Sequence, residues 1–205
     1  MTIRHHFYDL PDLSNYDVDA VAIDTETLGL NPHRDRLCVV QISPGDGTAD
    51  VIQIAPAQKK APNLVSLLRN RRITKIFHFG RFDLAVLCQS FGVMPEPVFC
   101  TKIASRLTRT YTDRHGLKDI CSELLGVSLS KVQQSSDWAA AELSPEQLEY
   151  AASDVLYLHQ LREKFVFRLE RERRVKEADA CFRFLPTRAR LDLMGWGEED
   201  IFAHS

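Results

Sequence analysis

Apolar residues fall into short runs whose period changes along the chain. Three strands are predicted between residues 18 and 55: VDAVAIDTE, RLCVVQIS and ADVIQIA. The last two flank PGDGT, whose Asp46-Gly47 pair is a hairpin signal, so the sheet begins as an antiparallel meander. After Pro62, NLVSLLRN reads as a short helix, ITKIFHF as a strand, and RFDLAVLCQSF as a helix closed by Gly92. A short strand at Val98 to Cys100 precedes the helix TKIASRLT. HGLKDICSELLG has helical spacing at Leu117, Ile120, Leu124 and Leu125 and stops at Gly126. In LSPEQLEYAASDVLYLHQL, Ser144 is a natural N-cap, Pro145 takes the first helical position, and Gln147 completes a capping box. The helix opened there is expected to run to about Arg174. Together these elements describe an α/β domain, a mixed sheet covered by helices, over residues 1–175. Residues 176–205, with Trp196 and Phe202 among glycine and proline breaks, read as a tail that packs on this domain or on a neighbouring subunit.

Composition narrows the class. The 205 residues are 44% hydrophobic and 26% charged, which describes a globular chain with a full core and not a disordered one. No stretch approaches the ~18 uninterrupted apolar residues of a membrane span. MTIRHHFYDLPDL lacks the apolar run of a signal peptide, so a cytoplasmic location is expected. The five cysteines are widely spaced with no CxxC pair, which suggests reduced core residues over disulfides or zinc. A formal net charge of −2 is no surplus for gripping long nucleic acid, whose affinity grows with the phosphates neutralised. It fits a short substrate, or binding led by cations. The basic runs RNRR and RLERERRVK are the local exceptions.

Five residues carry candidate chemistry. Asp24 and Glu26 sit two apart at the end of an apolar strand, so both project from one face and can hold a hard cation such as Mg²⁺ or Mn²⁺. Asp83 follows the strand KIFHF at the start of a helix, where the helix dipole alone would accept it. Tyr150 and Asp154 share one face of the capped helix, a turn apart, and an aspartate within AASDVLYL is costly to bury unpaired. Each has an ordinary explanation taken singly.

Their order does not. A strand DxE, an Asp at a helix start and a late Tyr-x-x-x-Asp, set in AIDTET, KIFHFGRFDLAVL, TKIASRL, HGLKDICSELLGV and SDWAAAELSPEQLEYAASDVLYL, resemble the DEDD 3′-5′ exonucleases in their ribonuclease D branch. The likeness runs over about residues 18 to 165. With Glu at 149 and Tyr at 150, the chain is similar to the tyrosine type and not the histidine type. The resemblance implies a ribonuclease H-like fold with a mixed sheet of five to six strands. It implies two divalent cations, Mg²⁺ or Mn²⁺, about 3.5–4 Å apart. Asp24 would bridge both, Glu26 and Asp154 would complete one site, and Asp83 would hold the other, directly or through water. A tyrosine pKa near 10 makes Tyr150 a poor general base, so it is expected to orient the attacking water. Leu28, His78, Phe79, Gln134, Ser136 and Trp138 are the expected substrate contacts. Ribonuclease D proper continues into helical domains that this length cannot include. A stand-alone domain ending RLDLMGWGEEDIFAH resembles the compact nanoRNase C group, which implies short RNA, down to dinucleotides, as partner, and an octameric homo-oligomer. Two other readings stay open: an exonuclease for longer RNA or for DNA, and a non-catalytic nucleic-acid-binding module, whose mark would be a lost carboxylate.

Overall fold

The structure is a computed structural model that describes residues 2–130, 132–133 and 135–204. Its strands are β1 (Thr2–Phe7), β2 (Ala20–Thr27), β3 (Leu37–Ser43), β4 (Thr48–Gln53), β5 (Thr74–Phe77) and β6 (Val98–Cys100). They form one six-stranded sheet in the order β1-β4-β3-β2-β5-β6. The meander β2-β3-β4 is antiparallel, as the hydrophobic runs and the Asp46-Gly47 turn require, while β5 and β6 add in parallel beside β2. The fold is thus the mixed α/β sheet expected.

The strand that periodicity does not announce is β1, which pairs parallel with β4 at the sheet edge. TIRHHF has no apolar alternation because polar side chains tie it down. Arg4 donates to Asp50 through Nε (2.8 Å) and Nη2 (2.7 Å), and His6 Nε2 lies 2.7 Å from the same carboxylate. Tyr16 closes that cluster by donating to Asp50 Oδ2 at 2.5 Å.

Helices α1 (Pro62–Arg69), α2 (Gly80–Phe91), α3 (Thr101–Thr108) and α4 (Leu117–Leu125) lie where their spacing predicts. The single helix expected from Pro145 to about Arg174 is instead two, α5 (Pro145–Leu156) and α6 (Leu158–Arg171), parted at Tyr157. Ser144 and Gln147 form the capping box that starts α5. α6 ends three residues early because Arg173 turns left-handed (φ 56°) and the Arg174 N–H closes on Leu169 O at 2.9 Å. That closure usually belongs to glycine, so nothing in the residue types signals it. α7 (Val175–Leu191) then returns across the molecule and buries Ala178, Phe182, Leu185 and Ala189 in the main core. Beyond it, the turn Asp192–Trp196 is held by Arg81 of α2, which donates to both Asp192 oxygens and to Gly197 O. No helix among the described residues is long and apolar enough to cross a membrane.

Candidate active site

The site forms where β2 ends between α2 and α5. Alternation along β2 sends Asp24 and Glu26 to the face covered by α5, and Thr25 to the face covered by α2. The register of β2 against β3 shifts between Glu26 and Thr27, and pairing resumes at Thr27 with Leu37. Asp83 reaches the site from the first turn of α2. That turn is tight: Phe79 is left-handed (φ 66°), and a Cβ on Gly80 would meet the Phe77 side chain at 2.8 Å. Thr25 Oγ1 donates to Asp83 Oδ1 at 2.6 Å, which buries and aims that carboxylate. The capped α5 supplies Tyr150 and Asp154 one turn apart.

The structure brings together all four acids and the tyrosine expected from sequence. Oxygen atoms of Asp24, Glu26 and Asp154 all lie within 4.8 Å of one another. Asp83 stands outside that trio, close enough for its charge to bear on Asp24. Acids this close and this dry resist ionisation. Burial first, then the neighbouring carboxylates, push Asp24 well up and Glu26 up to about 9. Burial likewise raises Asp83 and Asp154 to about 7. An all-oxygen cluster with unbalanced negative charge fits a hard divalent cation, which would neutralise it. Tyr150 is raised by burial and by the carboxylates of Asp154, Glu26 and Asp24, so its hydroxyl stays protonated and is a donor.

Around the acids runs a cleft of about 720 Å³. Leu28 stands on its lip, 55% exposed, on a loop held by Asn31 N–H donating to Asp35 (3.0 Å). His78 and Ser136 line the cleft, and Trp138 does so while almost fully buried, its ring 5.9 Å from that of Tyr150. His78 is kept neutral by burial, its pKa pushed down to about 3, and its Nδ1 is 2.9 Å from Thr101 Oγ1. Phe79 is exposed beside the cleft, its ring under the Nζ of the cleft-lining Lys102 at 4.3 Å. Its left-handed backbone turns the side chain out as α2 begins. Gln134 lies outside the described residues. Sequence reading overlooked two cations of the lining, Lys102 near the start of α3 and Lys118 near the start of α4. The only sequence signal was a lysine near the start of each helix, a common surface feature.

Comparison with known proteins matches this geometry. The profile of the 3′-5′ exonuclease family covers residues 10–170. Ribonuclease D of Granulibacter bethesdensis is 35% identical over 155 residues, which span 76% of this chain and 39% of that protein. The chain thus spans about two-fifths of the length of this curated relative. Among solved structures, Brucella melitensis NrnC with bound Mg²⁺ is 77% identical, with a TM-score of 0.97 and 100% of both chains covered. The same protein bound to pGG superposes at a TM-score of 0.98 and 78% identity over 100% of both chains. The family match takes in the sheet from β2 onward and every acid of the cleft, and on that ground this chain belongs to the 3′-5′ exonuclease family.

Proposed function

We propose that this protein is a two-metal 3′-5′ exoribonuclease that hydrolyses short oligoribonucleotides, including dinucleotides, to nucleoside 5′-monophosphates. The observation that carries this reading is the convergence of Asp24, Glu26, Asp154 and a protonated Tyr150 in one cleft, with Asp83, held by Thr25, close enough for its charge to bear on Asp24. Full-length likeness to an NrnC that holds pGG supports a substrate of a few nucleotides. So does a cleft of about 720 Å³, within the range that encloses small ligands.

In this reading Asp24, Glu26 and Asp154 would hold two divalent cations, Mg²⁺ or Mn²⁺, with Asp83 contributing to their binding. When bound, the cations supply Lewis-acid activation of water and neutralise charge on the phosphoryl group. Tyr150 donates its hydroxyl hydrogen to the attacking water and orients it; a phenol held protonated cannot take the proton. Lys102 and Lys118 face the substrate's phosphates, and Leu28 packs against its bases. His78, Ser136 and Trp138 wall the cleft and exclude water around the 3′ end.

We read the exposed apolar side chains of α6 and the C-terminal segment as an interface between identical copies. Phe167 (65% exposed), Met194 (67%) and Phe202 (76%) are its most open members. An octamer is the expected assembly and the cytoplasm the expected location. Light scattering on the purified protein checks the first; a monomer at micromolar concentration would end it.

The deciding experiment compares a 5′-labelled RNA dinucleotide, a 20-nucleotide RNA and matched DNA, each with Mg²⁺ and with Mn²⁺. Faster turnover of the RNA dinucleotide is expected, with all activity lost in Asp24→Ala. Preference for long DNA would overturn the substrate assignment, and an active Asp24→Ala would overturn the chemistry.

A further inference from the structure

Strand β3 is buried at all seven positions, and Gln41, at its centre, is fully buried. Neither Nε2 nor Oε1 of Gln41 has a hydrogen-bond partner among the described residues. A primary amide is two donors and an acceptor, and sealing it away unpaired is costly. Register says where it faces. Gln41 is the direct antiparallel partner of Asp24, so both side chains project from the same face of the sheet. Directly opposed residues have Cβ atoms about 4.5–5.5 Å apart. On that face Asp24 stands directly opposite Gln41, and Glu26 lies one pair further along the ladder. Val39 and Val51 are apolar, and Ser43 spends its hydroxyl hydrogen on Thr48 O at 2.7 Å. Asp24 is the complement: no described side chain donates to its carboxylate, although Asp83 has Thr25 for that purpose.

An unpartnered amide thus stands across the ladder from a carboxylate that no described side chain holds, and that carboxylate is one of those proposed to hold the cations. We infer that Gln41 is a positioning residue for metal binding. With the cations bound, its amide NH₂ would donate to an Asp24 carboxylate oxygen and so fix the orientation of that ligand. Metal ligands are commonly oriented this way by an outer partner, and loss of such a partner costs about 10–100-fold in metal affinity. This inference rests on the metal-site reading above. It adds a residue that touches neither substrate nor cation.

The test is calorimetric titration of Mn²⁺ into the metal-free full-length protein, with thermal denaturation of the same samples. Wild type, Gln41→Met, Gln41→Leu and Asp24→Asn are compared. The two apolar variants keep the volume near that of glutamine. They are expected to bind Mn²⁺ at least tenfold more weakly while the metal-free Tm holds or rises, because an unpaired amide has been removed. Mn²⁺ affinity within twofold of wild type in either variant would overturn the inference. A fall of metal-free Tm in both would also overturn it, since the amide would then be serving the fold. Wild type that binds no Mn²⁺, or Asp24→Asn that binds as wild type does, would strike the metal-site reading itself.

Discussion

Thr25 and Asp83 are joined by a buried hydrogen bond of 2.6 Å between the end of β2 and the first turn of α2. Thr25 therefore aims a carboxylate on the opposite side of the strand from the neighbouring Asp24 and Glu26. Thr25→Val removes the donor and little volume. It should weaken Mg²⁺ binding about tenfold or more, as loss of an outer partner does. Thr25→Ser keeps the hydroxyl and should restore most of the affinity. Calorimetric titration of the three proteins decides it, and equal affinities would refute the link.

Tyr150→Phe keeps the ring packed beside Trp138 and deletes only the hydroxyl. With Tyr150 as an orienting donor, kcat should drop about a hundredfold while Mg²⁺ affinity stays within about twofold. A variant with normal kcat would remove Tyr150 from the chemistry.

Stability of the metal-free protein should depend on pH in a defined direction. Asp83 and Asp154 are raised to about 7 and Glu26 to about 9, from ordinary values of 3.8 and 4.5. The folded chain thus binds these protons more tightly than the unfolded chain. Their contribution to stability is complete below about pH 4 and is lost as pH rises through 7 to 9. Thermal denaturation in a chelator should show Tm several degrees lower at pH 8.5 than at pH 6. Added Mg²⁺ should restore more at pH 8.5, where it competes with fewer protons. A Tm independent of pH in the chelator would contradict the carboxylate coupling.

Lys102→Ala and Lys118→Ala should each raise KM for an RNA dinucleotide several-fold and leave kcat nearly unchanged, since neither lysine is assigned to the reacting atoms. Each should also flatten the dependence of kcat/KM on salt, because one phosphate contact is gone. A fall confined to kcat would place the lysine in the chemistry instead.

Much of this arrangement was legible in the residues alone. The β2-β3-β4 meander follows from buried apolar runs and one Asp-Gly turn. α5 follows from Ser144, Pro145 and Gln147. The four-residue spacing of Tyr150 and Asp154 places both on one helical face. Local rules suffice for these features because strand alternation, capping and helical periodicity act within a few residues. Other features depend on contacts that local rules do not reach. β1 is held by Asp50, forty-six positions from Arg4 in sequence. The end of α6 hangs on one left-handed arginine. Lys102 and Lys118 become part of a cleft only when α3 and α4 are packed against α6.

By itself, then, the sequence determined which acids exist, on which faces of their own elements they lie, and that their order is that of a tyrosine-type exonuclease. Tertiary structure decided that Thr25 reaches Asp83, that Phe79 meets Lys102, and that Gln41 is sealed beside Asp24. The physical reason is range. A side chain's direction is set by its own backbone, but its partner, its dryness and hence its pKa are set by residues tens of positions away.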